Sequence, residues 1–262
     1  MRYLIFFSIG LSLFSCKVKD DSQTGKVQDS VEIVKGKVEI PRVSINGADT
    51  VRITRVIEYN YFNCKEVYCD STNEKIIDFV RRNTEFEHEK EQLVIDRPFF
   101  QRQLNYFDSI AREEETIAED MPPWELELST EIVKHDTYVD LGLNVWSYTG
   151  GAHGNGFYAN ILIDKSTGKT LQLSDFITDV DAFTQFAESY FRKQNSIQPG
   201  DDLGELGFWF QDNKFSLNEN FHFSEVNMSF FYNSYEIAPY SAGQIEFHIP
   251  LGEMKDFLKI QP

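Results

Sequence analysis

The sequence predicts an α+β fold, antiparallel sheets with segregated helices in two closely associated subdomains, and three observations carry that expectation. Val139, Leu141, Leu143 and Val145 alternate with other residues, the period-two pattern of a half-buried strand. Phe100, Leu104, Phe107 and Ala111, and again Phe183, Phe186, Ala187, Tyr190 and Phe191, recur at the spacing of amphipathic helices. The two kinds of segment come in blocks rather than in strict alternation, which favours α+β over α/β. With 41% hydrophobic residues, including 23 Phe, 12 Tyr and 3 Trp, the 262-residue chain can bury a substantial core and is expected to fold.

At the N-terminus Arg2 precedes an apolar run from Tyr3 to Phe14, the length of a signal-peptide core and short of the ~20 residues that cross a bilayer. Leu13-Phe14-Ser15-Cys16 resembles the bacterial lipobox, which implies a lipoprotein signal peptide over residues 1–16, with Cys16 lipidated and becoming the first residue after cleavage. More than one acyl chain anchors a protein without a transmembrane helix. A leader cleaved elsewhere, with an incidental cysteine, is the alternative. Lys17 stands where an aspartate would resemble the inner-membrane retention signal, so the outer membrane is expected, facing the periplasm or the cell surface. Lys19-Asp20-Asp21 resembles the surface-export signal of Bacteroidetes lipoproteins, with an ordinary solvated tether as the alternative. Residues 17–35, rich in Lys, Asp, Ser and Gln, read as a flexible tether.

The folded part divides into domains at 36–170 and 171–262. In the first, Lys37 to Ile45 and Val51 to Phe62 alternate around the turn residues Asn46-Gly47-Ala48-Asp49, which predicts a hairpin or two neighbouring strands. Ile76, Ile77 and Val80 place a helix over 73–83, with Ser71 to Asn73 as caps. The next helix begins after Pro98, runs into Glu113-Glu114-Glu115 as a solvated face, and ends at Met121-Pro122-Pro123. Strands are expected at 124–128, 139–145 and 157–164, the first two separated by a turn at His135-Asp136, and a fourth at 170–173 after the turn 165–169. In the second domain Ser174 or Asp175 caps the next helical stretch, the Phe183 to Phe191 helix stops at Pro199-Gly200, strands occupy 208–210, 226–232 and 244–249, and a short helix spans 252–258.

Charge and motif chemistry narrow the function. A formal charge of −17 repels a phosphate backbone, so nucleic acid is not a partner. Cys64 and Cys69 sit close in sequence in a chain bound for an oxidising compartment; a local disulfide is favoured over reduced thiols, and a zinc site lacks a second cysteine pair. His88, His135, His153, His222 and His248 show no metalloprotease spacing, and His222 and His248 belong on the polar faces of strands. No nucleophile elbow, P-loop or dinucleotide fingerprint is present, so no cofactor, metal or catalytic residue is assigned. Gly150, Gly151, Gly154 and Gly156, surrounding His153 and Asn155, form either a nest of backbone donors for an anion or a bend whose histidine caps carbonyls, the second being preferred. Tyr232, Tyr235 and Tyr240, with Phe230 and Phe231, either pack or present stacking faces to a glycan, and packing is preferred.

The string Tyr148 to Asn155, together with Asn160, Asp164, Thr167-Gly168-Lys169 and Leu173-Ser174-Asp175-Phe176, resembles the junction of two extracytoplasmic domains of unknown function. These are shared by the anti-sigma factor RsiV and the peptidoglycan deacetylase PdaC. Residues 231–243 and Ile249-Pro250-Leu251 resemble the most recognisable stretch of the second domain. The resemblance implies a PdaC-type domain over 36–170 and an RsiV-like domain over 171–262, the latter likened in shape to a subdomain of the Hsp70 ATPase with no nucleotide site. A sigma-binding segment, a membrane span and a deacetylase domain are not expected in this chain, so binding is the property that transfers. The resulting expectation is a lipid-anchored envelope binding module without catalysis, recognising a lysozyme-like cationic protein or a cell-wall glycan, with His153, Asn155, Tyr235 and Tyr240 as binding residues. A glycan-acting hydrolase with unnamed carboxylates and a structural envelope lipoprotein are the alternatives.

Overall fold

In the computed structural model the described residues are 31–46, 49–85, 94–117 and 122–259, with backbone alone described for 42–51. The leader, Cys16, the tether as far as Ser30, the turn residues Gly47 and Ala48, His88 and Met121 lie outside them. The described residues form one compact unit. Its main sheet has six strands in the order β1-β4-β5-β6-β7-β8. These are β1 (Glu32–Glu39), β4 (Arg55–Asn63), β5 (Glu125–Lys134), β6 (Tyr138–Tyr148), β7 (Asn155–Asp164) and β8 (Thr170–Leu171). The first strand starts at Glu32, so the tether expected to reach Lys35 gives its last residues to the sheet.

The 37–62 hairpin exists but is broken into four strands. β2 (Arg42–Asn46) and β3 (Asp49–Ile53) form a separate two-stranded ribbon beyond β1 and β4. The interruption falls at Pro41, which has no N–H to give a ladder. β4 and β5 pair in parallel, Arg55 opposite Leu126, the one departure from the antiparallel pattern among the described residues. Parallel neighbours need a long crossover, supplied by helices α1 (Val67–Thr84) and α2 (Arg97–Ile117).

α1 begins well before the predicted Asn73, with Glu66 as N-cap. Asn73 is therefore inside the helix, and its side chain accepts from the Phe62 N–H at 2.9 Å and donates to the Phe62 carbonyl at 2.8 Å, pinning α1 to β4. Cys64 and Cys69 are joined by a disulfide across the same junction, with Cα atoms 6.1 Å apart. Glu115 is not part of a solvated face. It pairs with Arg55, which is 1% exposed and also pairs with Asp108 and donates to the Trp124 carbonyl at 3.0 Å. Burial opposes the Asp108 charge, but Arg112 and Arg55 hold its carboxyl below the ordinary range.

The second sheet has three antiparallel strands in the order β11-β10-β9: β9 (Phe221–Phe223), β10 (Asn227–Tyr232) and β11 (Ile245–Pro250). Helices α3 (Leu173–Phe176) and α4 (Val180–Gln194) precede it. α3 is capped by Gln172 in a capping box with Asp175, and α4 by Asp179, which accepts from the Ala182 N–H at 3.0 Å; Ser174 caps neither. Residues 208–210 are not a strand. Their backbone finds separate partners, Phe208 on Leu203 and Trp209 on Ile237, and no ladder forms. The predicted helix 252–258 is a short 3-10 turn over Leu251–Glu253, then further turns and a single bridge from Leu258 to Ile177.

Two hydrophobic clusters result. One lies between the main sheet and α1 and α2, with Ile57, Ile76, Phe100, Leu104, Leu128 and Leu141 at its centre. The other is built on Phe183, Phe191, Phe221, Phe230, Phe247 and Met254. Alternate residues of the main sheet serve both: Tyr138 and Leu162 point into the second cluster while their neighbours Val139 and Ile163 point into the first.

Candidate functional site

The glycine-rich bend links β6 to β7 and meets the 233–240 turn of the second sheet. β7 has a neighbour on its outer edge only at Leu162 and Ile163, which pair with β8. At Tyr158 and Asn160 side-chain amides stand in for a strand. Asn233 accepts from the Tyr158 N–H at 2.7 Å and donates to its carbonyl at 2.9 Å, while Asn220 accepts from the Asn160 N–H at 2.8 Å and also donates to Tyr158 at 2.9 Å. This satisfies an edge that would otherwise invite pairing, and it sets the bend against the turn.

At that junction three of the four sequence-selected binding residues meet. The His153 ring stacks on Tyr240 with centroids 3.7 Å apart and planes 14° apart, and Tyr235 lies 5.6 Å from Tyr240. His153 Nδ1 and the Tyr240 hydroxyl both donate to the Gly154 carbonyl at 2.8 Å. A carbonyl only accepts, so Nδ1 carries the proton and Nε2 is free to accept from the Tyr235 hydroxyl at 3.4 Å. Asn155 is elsewhere: it opens β7 opposite Ser147, exposed, and its side chain makes no hydrogen bond among the described residues.

The bend is a carbonyl-presenting turn. Gly150 and Gly151 take φ of 99° and 89°, values L side chains rarely adopt, and the Tyr148 hydroxyl donates to the Gly151 carbonyl at 3.1 Å. Gly154 is needed for a different reason: a Cβ there would come within 2.6 Å of the Trp146 ring. Trp146, 37% exposed, thus forms a second aromatic surface beside the bend. Sequence reasoning missed it, although its place between inward-facing Val145 and the bend marks a large apolar side chain on the outward face of an alternating strand.

The tyrosine-rich segment divides. Phe230 and Tyr232 are core, the Tyr232 hydroxyl donating to the Ser216 carbonyl at 2.7 Å, whereas Tyr235 is 53% exposed and held at a φ of 69°. Acidic side chains flank the platform: Glu125 and Glu127 stand opposite Tyr148 and Trp146 in the β5–β6 register, and Glu236 comes directly after Tyr235. Burial and the neighbouring Glu127 raise the Glu125 carboxyl.

Between the two sheets lies a polar layer. Asp140, 8% exposed, has its carboxyl pushed up to about 6 by burial, with Glu131 adding to the shift and Asn160 opposing it. Burial also pushes the Tyr158 hydroxyl up to about 12, and its neighbours Asp140, Glu131 and Glu246 act in the same direction. On the facing sheet Ser229 stands opposite both His222 and His248. His222 is half-buried and its proton affinity lowered by burial; His248 is exposed. Ser229 Oγ and Glu246 Oε1 lie 2.8 and 3.7 Å from the same nitrogen, His248 Nδ1. A proton relay needs the base nitrogen and the acid-held nitrogen to be different, so this trio lacks the geometry of a Ser-His-acid triad. Among the described residues no group of three or more His, Cys, Asp or Glu is placed to hold a metal ion.

The fold and junction define an α+β protein with two sheet-and-helix regions joined through amide side chains. Residues 174–252 match the family model of a protein of unknown function, DUF3298, so the C-terminal region is similar to that family. A DUF3298 family member from Bacteroides fragilis has a crystal structure with a TM-score of 0.63 at 19% identity, covering 89% of this chain and 95% of that one. A DUF3298 family protein from Pseudomonas aeruginosa gives 0.55 at 18% identity, over 88% and 95%. At these identities the likeness shows the fold. No curated protein matches the chain significantly. Among the described residues no helix is long and apolar enough to cross a membrane.

Proposed function

We propose that the protein is a lipid-anchored envelope binding module, without catalysis of its own, that recognises a cationic protein through His153, Tyr235, Tyr240 and Trp146. The supporting observation is the junction of His153 with Tyr235, 82 residues further along the chain, in an aromatic platform that stays open to solvent. Rigid Tyr and Trp side chains at an exposed junction supply contact area at small entropic cost, which is why they dominate binding hot spots. The carboxylates of Glu125, Glu127 and Glu236 and the net charge of −17 favour a basic partner. The resemblance to the RsiV and PdaC modules makes lysozyme-type, wall-cleaving enzymes the first candidates. Anchoring rests on Cys16, and Cys16→Ser is expected to abolish fatty-acid labelling; equal label in both proteins would rule out lipidation there.

Calorimetry of the full-length protein in mild detergent, against lysozyme and against an unrelated protein of equal basicity, tests the partner. Long-range attraction weakens as the Debye length falls from about 10 Å at 0.1 M salt to about 3 Å at 1 M. Specific binding of lysozyme is expected to weaken with salt without vanishing and to fall about tenfold in Tyr235→Ala. If both basic proteins bind alike and both are lost in moderate salt, charge is the whole effect and the proposal fails.

A further inference from the structure

Beside the platform an open groove of about 430 Å³ runs between the outer edge of β7 and the segments 218–220 and 233–236. It shares the 233–236 turn with the platform but none of the four platform residues. Its size falls within the about 300–1,000 Å³ usual for small-ligand sites. One wall is apolar, made by Phe157, 43% exposed, with Ala159 and Ile161. Lys75, Gln172, Glu219 and Glu236 also line the groove.

The polar groups are positioned before any ligand arrives. Glu219 Oε2 accepts from the Leu173 N–H at 2.7 Å, and its other oxygen makes no hydrogen bond among the described residues. Glu236 accepts from Asn218 at 2.7 Å and from the Asn233 N–H at 2.8 Å. Held rotamers of this kind reduce the ordering cost of binding.

We propose that this groove is a saccharide subsite for an uncharged, hydroxyl-rich ring that stacks a C–H face on Phe157 and sets hydroxyls against Glu219, Gln172 and Lys75. Other ligand classes fit less well. Two carboxylates against one lysine disfavour an anion. A peptide cannot extend the sheet here, because the Tyr158 N–H and carbonyl and the Asn160 N–H are already occupied by Asn233 and Asn220. A sugar ring offers what the groove asks for, an apolar face for the aromatic wall and hydroxyl donors for the carboxylate oxygen left open. This inference goes beyond the protein-binding platform and does not depend on it.

The test titrates the full-length protein in detergent with three uncharged probes, the β-1,4-linked N-acetylglucosamine trimer, cellotriose and maltotriose. At least one is expected to bind in about the millimolar range. Phe157→Ala is expected to weaken that binding about tenfold and Glu219→Gln more modestly, with the circular dichroism of both variants native. His153→Ala and Tyr235→Ala should leave saccharide affinity unchanged, while Phe157→Ala should leave lysozyme binding unchanged, so the two sites fail separately. Absence of binding by all three probes up to about 10 mM would overturn the proposal. So would full affinity retained in both groove variants, or loss confined to the platform variants.

Discussion

The two hydrophobic clusters are built in different ways. The first is layered: aliphatic residues on one face of β5 and β6, such as Leu126, Leu128, Leu141 and Val145, meet the apolar faces of two long helices. The second is held by phenylalanines. Phe191 of α4 lies within 5.0–5.7 Å, ring centre to ring centre, of Phe208, Phe210, Phe215 and Phe247. Three of these, Phe208, Phe210 and Phe215, come from the irregular chain between α4 and β9. Large rings reach across gaps that irregular backbone leaves, and edge-to-face contacts add to their area burial. Irregular chain must then satisfy its backbone polar groups one at a time, as Gly204 does on Asn213 and Trp209 on Ile237. A regular layer economises on side-chain specificity; an irregular one depends on it.

The sharpest test of this contrast removes the centre of each cluster's special feature. Arg55→Ala removes the buried cation between Asp108 and Glu115, leaving Asp108 with Arg112 and Glu115 with the Trp124 N–H, and is expected to destabilise by about 3–5 kcal/mol in urea unfolding. Phe191→Ala should cost about 3–5 kcal/mol as well, against about 2–4 for Leu141→Ala. The irregular segment should loosen with Phe191→Ala, seen as faster amide exchange over 203–215. A small effect with unchanged exchange would mean that the second cluster does not hold that segment.

Next in size is the junction between the sheets. Asp140 has a folded pKa raised to about 6 from 3.8, so the stability it contributes is fully present below pH 3.8 and is lost as pH rises through 6. Asp140→Asn should therefore raise the melting temperature at pH 8, by the equivalent of about 1–3 kcal/mol, and the advantage should shrink toward pH 4. His222 acts with the opposite sign, since its lowered proton affinity means stability gained as pH rises. It is common to both proteins, so their difference isolates Asp140. A difference independent of pH would show that this carboxyl is not shifted.

The smallest effects belong to the bend. Gly154→Ala pushes a methyl toward Trp146 and Gly151→Ala places a side chain at φ 89°; each is expected to cost about 1 kcal/mol in melting experiments. His153→Ala should stay within about 0.5 kcal/mol because the ring is exposed. A large loss of stability in His153→Ala would make the stacked pair with Tyr240 a structural strut rather than an available surface.

The contrast between the clusters also explains which elements were legible. β5, β6, β7, α2 and α4 have period-two or helical patterns long enough to read, and the turn at His135-Asp136 joins β5 to β6 as expected. Phe208-Trp209-Phe210 mimics a buried strand because periodicity cannot distinguish a short aromatic run from irregular chain packed by its rings. The α1 start was hidden because Glu66 caps it without a side-chain bond and the polar residues at 70–75 mask the apolar face. Glu115 looked solvated because its partner, Arg55, is 60 residues away.

By itself the sequence determined the α+β class, the strand and helix blocks whose periodicity is local, the acidic character, and the glycine and tyrosine motifs at either side of the junction. These depend on neighbours along the chain. Only the tertiary structure decided that β4 and β5 run parallel, that Asn220 and Asn233 complete the edge of β7, that Arg55 is neutralised by α2, and that His153 stacks on Tyr240. Each of those is a pairing between residues far apart in sequence, and no local pattern encodes which distant partner a buried charge, an open strand edge or an exposed ring will meet.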